Sequence, residues 1–267
     1  MSIRPLLRRS WRVPAVTGWI ACGLLLVMLV EATAKLLPKQ AHGLRSRLCQ
    51  AWMTGLVAVL PLQVRVNGNL PRQPALWVSN HVSWLDIVLL GRLAPLHFLS
   101  KAEVATWPVI GWLARGAGTL FIERGAGAAT ALNQSLTREL EAGHSLVIFP
   151  EGTTTAGDRV RTFHGRLLTC AVDSEAPLQP ASICYRRNGE RDTVCPFIGD
   201  DEFTAHLWRL LGSEPIEVEI TLLPAMASAG VQRNQLARDA RQHIVQALGL
   251  ADEADSNAAP SVSRRAA

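Results

Sequence analysis

Residues 80–86 read NHVSWLD and place a histidine and an aspartate five positions apart, His81 and Asp86. A neutral imidazole can take a proton from a hydroxyl near pH 7. It does so better when a carboxylate holds its second nitrogen and stabilises the imidazolium. On a regular helix five positions are about 140° out of phase, because each residue turns about 100°. The two side chains therefore meet only if His81 lies in a loop ahead of the helix that carries Asp86. The alternative for the same residues is a helix start, with Ser83 as the cap and Asp86 where the helix dipole favours a carboxylate.

Two further polar clusters follow apolar runs. Arg124 and Gly125 come after Thr119–Ile122. A fork of donors beside a permissive glycine suits a phosphate or carboxylate; an exposed arginine paired with Glu123 or with solvent is the plain alternative. PEGTTTAG, residues 150–157, comes after Ser145–Phe149. Pro150 ends a strand and Glu151 offers a carboxylate at its tip. Gly152 allows close backbone approach, while Thr153, Thr154 and Thr155 supply hydroxyls and amides. A polar β-turn is the alternative here. GAGAAT, residues 125–130, fails the dinucleotide fingerprint because Thr130 takes the third glycine position. No G-x-S-x-G, Walker A or H-E-x-x-H is present, so a serine hydrolase, a P-loop enzyme and a zincin all lack their local signature.

The elements that must position these clusters alternate in type. LQVRVNGNL, ALWVSN, LHFLS, TLFIER, SLVIFPEG, LQPASICY and IEVEITLL read as strands. Leu85–Leu93, Ala126–Ala142 and Gln232–Leu248 read as helices, the second stopped by Gly143. Such alternation predicts an α/β domain, a largely parallel or mixed sheet flanked by helices, over residues 63–250. In open sheets of this kind ligands gather beyond the carboxyl ends of the strands. All three polar clusters sit at such ends. The polar, Ala/Ser-rich tail, residues 251–267, is expected to be disordered.

Residues 1–62 form a separate, membrane-associated helical segment in this reading. Eight of the basic residues, Arg4, Arg8, Arg9, Arg12, Lys35, Lys39, Arg45 and Arg47, fall within the first 47 positions against the single acid Glu31. The whole chain carries +5, so the remainder is slightly acidic. That argues against nucleic acid, whose binder carries its basic patch on the domain itself. Cations flanking an apolar run suit an anionic lipid surface instead. Val13–Val30 is uncharged and eighteen residues long, near the lower limit for crossing a bilayer. Trp11 and Trp19 are candidate interface anchors. Ala51–Leu62 is too short to cross and reads as an interfacial or re-entrant helix. A cleaved signal peptide ending near Ala32–Ala34 and a buried soluble helix are the competing readings. Basic residues flank the run evenly, which suits a helical pair lying in one leaflet. The five cysteines show no C-x-x-C and no zinc spacing. Buried reduced thiols are expected, with the main domain in a reducing compartment and no metal.

Taken together, these blocks resemble the PlsC-like glycerolipid acyltransferases, the lysophosphatidic acid acyltransferase family. NHVSWLD resembles its N-H-x-S-x-x-D block, LFIERG its F-I-x-R block, FPEGTT its F-P-E-G-T-R block, and APLQPASI its proline-containing fourth block. LSKAEVATWPVIGWLARGAGTLFIERG also follows the family's linker between the first two. The resemblance covers roughly residues 60–225, and four blocks in order are far more specific than one. It implies the glycerolipid acyltransferase fold with an N-terminal helical membrane motif. It implies His81 as general base, Asp86 as its orienting partner, and Arg124, Gly125, Glu151, Gly152, Thr153 and Thr154 as substrate-binding residues. It implies acyl transfer from acyl-CoA or acyl carrier protein to a lysolipid hydroxyl at a membrane, without cofactor or metal, on the cytoplasmic side. Lysophosphatidic acid, giving phosphatidic acid, is the expected acceptor. One departure bears on it. The third block usually ends in an arginine that helps hold the acceptor's phosphate, and Thr154 stands there. Arg124, Lys101, Arg159 or Arg161 could compensate. Alternatively the acceptor lacks a terminal phosphate, as lyso-ornithine lipid does, or the chain is a non-catalytic membrane lipid-binding protein.

Overall fold

The computed structural model describes residues 3–122 and 128–251. Arg124, Gly125 and all but the first residue of the expected tail lie outside the described residues.

Two long helices lead the chain, α1 (Ile3–Leu36) and α2 (Pro38–Val59). The α/β part then runs β1 (Leu62–Asn67), β2 (Leu76–Ser79), α3 (Leu85–Gly91), β3 (Leu96–Lys101), α4 (Ile110–Gly116), β4 (Leu120–Ile122), α5 (Ala128–Glu141), β5 (Ser145–Ile148), α6 (Thr169–Ser174), β6 (Leu178–Arg187), β7 (Glu190–Arg191), α7 (Phe203–Gly212), β8 (Ile216–Leu222) and α8 (Arg233–Leu248). The sheet order is β1-β8-β6-β2-β5-β3-β4, with β7 hairpinned onto β6. Its pairs are parallel except β6 with β8 and β6 with β7. The fold is therefore the mixed α/β sheet flanked by helices that the alternation of strands and helices predicts.

Burial explains which sequence pattern each strand carries. Central β2 is buried at all four positions, and three of them, Leu76, Trp77 and Val78, are an apolar run, as suits a strand covered on both faces. β8 alternates, with Ile216, Val218, Ile220 and Leu222 inward and Glu217 and Glu219 outward, the period of a half-covered strand.

α1 extends well beyond the apolar run Val13–Val30. One stripe, Arg12, Val16, Gly23, Val27 and Val30, is buried. Its charged first turns dock on α7: the Arg12 guanidinium donates to the carbonyls of Leu211 (2.9 Å) and Ser213 (2.7 Å), and Arg8 pairs with Glu214 (2.8 Å). α1 and α2 are clasped by their tryptophans. The Trp19 indole N–H donates to the carbonyl of Trp52, and that of Trp52 to the carbonyl of Trp19, both at 2.9 Å. Gly55 makes the seat: a Cβ there would stand 1.9 Å from the Trp19 ring. Trp19 is thus an inter-helix clasp, whereas Trp11 is exposed. The stretch expected as an interfacial helix is the second half of α2, and Met53, Leu56 and Val57 pack it into the core.

Candidate active site

His81 stands in the loop between β2 and α3, and Asp86 lies in the first turn of α3. This is the one arrangement in which residues five apart can meet. His81 Nδ1 lies 2.8 Å from Asp86 Oδ2. The imidazole side chain is 18% exposed and the carboxylate 0%. Oδ2 also accepts the backbone N–H groups of Val82 (2.7 Å) and Ser83 (2.9 Å). The helix-start reading is therefore half right. Asp86 does collect orphan N–H groups ahead of α3, but Ser83 makes no cap and its hydroxyl has no partner. Because a carboxylate is acceptor-only, Nδ1 must carry the proton, and Nε2 is left as the basic nitrogen.

Three more contacts fix the imidazole. It stacks on Phe149 at 3.9 Å between centroids and 12° between planes. Its backbone N–H donates to Glu151 Oε1 at 2.7 Å, and Glu151 Oε2 accepts the N–H of Arg161, also at 2.7 Å. Its carbonyl accepts the N–H of Thr155 at 2.8 Å. The resemblance implied a substrate-binding role for Glu151. Here the residue is buried and both its oxygens hold backbone, so it braces the first polar block against the third. Burial raises its pKa, opposed by the two backbone hydrogen bonds.

Sequence reasoning missed Tyr185. From β6 its hydroxyl donates to Asp86 Oδ1 at 2.5 Å, in full burial. Burial first, then the nearby Asp86 carboxylate, raises the phenol pKa well above its ordinary value. Tyr185 therefore stays a donor throughout the working pH range. Asn80 is a second silent brace: its amide donates to the Ile183 carbonyl (2.9 Å) and accepts the Ile183 N–H (2.8 Å), pinning the β2 end to β6. A hydrogen bond to a charged group is worth about 1.5–3 kcal/mol. Replacing Tyr185 with phenylalanine is expected to lower kcat about tenfold with KM unchanged, because the phenol touches no solvent-accessible space. A matching rise in KM in steady-state assays would place Tyr185 in substrate binding instead.

A cavity of about 680 Å³ opens beside His81. Gly152, Thr153 and Thr154 line it at the polar end, and Val16, Ile20, Val27, Trp52 and Leu56 are among the apolar residues from α1 and α2. Gly152 holds φ +70, a conformation that glycine takes without strain. The Thr154 hydroxyl donates to the carbonyl of Phe197, another residue of the cavity wall. Among the described residues that line the cavity, Arg45 of α2 is the one cation.

Comparison with known proteins now bears on this site. A family model described as Acyltransferase matches residues 62–184. Lyso-ornithine lipid O-acyltransferase of Pseudomonas aeruginosa is 50% identical over 261 residues, 98% of this chain and 99% of that one. The chain belongs to the PlsC-like glycerolipid acyltransferase family. The lyso-ornithine lipid O-acyltransferase of Brucella abortus is 31% identical, across 85% of this acyltransferase and 93% of its own length. The 1-acyl-sn-glycerol-3-phosphate acyltransferase of Neisseria gonorrhoeae is 28% identical, across 79% and 84%. PlsC from Thermotoga maritima superposes with a TM-score of 0.71 at 20% identity, covering 97% of this chain and 98% of that one, which shows a shared fold. The acyltransferase is an enzyme of lipid biosynthesis. Its α1 is long and apolar enough to cross a bilayer by length and composition.

Proposed function

We propose that the protein transfers a fatty acyl group from an acyl thioester to the hydroxyl of lyso-ornithine lipid, with His81 as general base. The observation that carries the choice of acceptor is Thr154. It occupies the place of the family's phosphate-holding arginine, and its hydroxyl is committed to the Phe197 carbonyl. Among the described residues Arg159 and Arg161 do not line the cavity, and Arg45, which does, has its Cδ beside Gly118. The side chains of Arg124 and Lys101 lie outside the described residues; among the described residues the site is poor in cations near its base, which suits an acceptor without a terminal phosphate. The relatives named for lyso-ornithine lipid support the same choice.

In the proposed step His81 Nε2 takes the acceptor's hydroxyl proton as the oxygen attacks the thioester carbon. The C–O bond forms, the C–S bond breaks, and Nε2 returns the proton to the leaving thiolate. Asp86 keeps Nδ1 protonated and balances the imidazolium. The backbone N–H groups of Thr153 and Thr154 are the candidate oxyanion donors, each such donor being worth about 3 kcal/mol. The apolar end of the cavity takes an acyl chain, at about 0.8 kcal/mol per buried CH₂. No residue is acylated, and the reaction needs no metal or cofactor beyond acyl-CoA or acyl carrier protein as co-substrate.

α1 has a second apolar face, with Leu6, Leu7, Trp11, Leu25, Met28 and Leu29 exposed. Its inner stripe is docked on the catalytic part along much of its length. We take the helix to lie in one leaflet, with the catalytic part on the cytoplasmic side, where five unpaired cysteines are at home.

The test is thiol release by purified protein in vesicles, offered lyso-ornithine lipid or lysophosphatidic acid with one acyl donor. Lyso-ornithine lipid is expected to be acylated the faster, by at least about tenfold in kcat/KM, the worth of one binding interaction of 1.4 kcal/mol. Faster acylation of lysophosphatidic acid would restore the phosphate acceptor. Release with neither would sink the lysolipid reading.

A further inference from the structure

A second cluster of titratable side chains lies at the opposite end of the sheet from His81. His97 is the second residue of β3, and His144 immediately precedes β5, so both sit at the amino ends of parallel neighbours. Between them α5 ends in a left-handed turn. Gly143 holds φ +85, the N–H of His144 donates to the carbonyl of Glu139 (2.9 Å), and that of Gly143 to the carbonyl of Leu140 (3.0 Å). Such a six-residue turn brings its first and last side chains together, and they usually make an apolar contact. Here the pair is a carboxylate and an imidazole. His144 Nδ1 lies 2.8 Å from Glu139 Oε2, and His97 adds its own Nδ1 at 3.1 Å from the same oxygen.

We propose that His97, Glu139 and His144 form a divalent transition-metal site of the zinc type, with water completing the coordination. The donor set of two imidazoles and a carboxylate is one that zinc takes readily. The three donor atoms lie within 4.8 Å of one another. The ring centroids of His97 and His144 are 4.9 Å apart. Two imidazoles bound to one zinc at roughly 2.0–2.1 Å, with a near-tetrahedral angle, place their centres about 5 Å apart. The oxygen–nitrogen distances need to open by only a few tenths of an ångström to fit such an ion. The side chains are 12–31% exposed, enough for an ion and its water to enter. Two of the ligands are already joined by backbone hydrogen bonds of the helix end, so little ordering remains. Binding through Nδ1 requires each imidazole to be neutral with its proton on Nε2. The ion fastens the end of α5 to β3 and β5. This site is independent of the acyl-transfer reading. Sequence spacing hid it, because the residues stand 42 and five positions apart.

The full chain, purified and stripped with chelator, is titrated with Zn²⁺ or Co²⁺ alone. One equivalent is expected to bind, with a visible Co²⁺ ligand-field band. A hundredfold excess over Kd is expected to raise Tm by about 5 °C or more. His144→Ala and Glu139→Gln are expected to lose the band. Outer-shell partners alone are worth about 10–100-fold in metal affinity, so each variant should lose at least that. Cys184→Ser, a control for thiol binding, should keep both signals. Folding of each variant is checked by circular dichroism before titration, and His97→Gln serves if His144→Ala does not fold. Absence of stoichiometric binding by the unmodified chain overturns the site. So does binding that survives in the folded His144 or His97 variant, or binding lost with Cys184.

Discussion

Replacing His81 with alanine is expected to lower turnover by about 10²–10⁴-fold, the usual worth of a positioned base, while the protein stays folded. The second half follows from the hydrogen bonds around Asp86. Without the imidazole the buried carboxylate keeps the N–H groups of Val82 and Ser83 and the hydroxyl of Tyr185, so it stays hydrogen-bonded in the core. Backbone contacts to Glu151 and Thr155 do not involve the side chain and survive in alanine. What is lost is one partly exposed ring and its stacking on Phe149. KM for the thioester should change little, because the apolar wall from α1 and α2 is untouched. Thiol release in vesicles beside a thermal melt checks both halves. Near-normal turnover in a folded variant would remove His81 from the chemistry.

Much of this was legible because buried parallel strands advertise themselves. β2 and β5 are short apolar runs, each ending in a polar cluster, and β8 alternates by burial. The meeting of His81 and Asp86 needed only helix geometry and a loop. Other parts were silent for physical reasons. Tyr185 lies 99 positions from Asp86, and only sheet order brings β6 beside β2. Its one local signal was a hydroxyl in an otherwise buried strand, in a chain with a single tyrosine. Glu151 looked like a free carboxylate because no local pattern shows an oxygen already taken by distant backbone. α7 (Phe203–Gly212), whose N-cap Glu202 makes no side-chain hydrogen bond, is not among the helices expected. The reach of α1 beyond its apolar run was hidden for a reason related to that of Glu151. Its arginine-rich turns are held by carbonyls at the end of α7 and by Glu214, contacts some 200 positions away.

Asp86→Asn is expected to cost nearly as much as losing the imidazole, again about 10²–10⁴-fold in kcat, and to lower stability as well. Four donors face this carboxylate: His81 Nδ1–H, the N–H groups of Val82 and Ser83, and the Tyr185 hydroxyl. An amide offers one acceptor oxygen and two protons. If its oxygen takes the Oδ2 place, its NH₂ meets Tyr185, whose proton loses its acceptor. If the NH₂ takes that place, it faces two backbone N–H groups, and His81 must turn Nδ1 into an acceptor. The proton then sits on Nε2 and the base is gone. In a serine-protease triad the same wrong tautomer costs about 10⁴-fold. In either placement the imidazolium loses its counter-charge. Each buried donor left unpaired costs about 1–3 kcal/mol, which for a chain of this size lowers Tm by several degrees. The double variant separates the roles. If Asp86 acts only through His81, then His81→Ala with Asp86→Asn is no slower than His81→Ala alone, since residues working as a unit are strongly non-additive. A double variant slowed by both factors would mean that the carboxylate reaches the substrate by some route other than the imidazole.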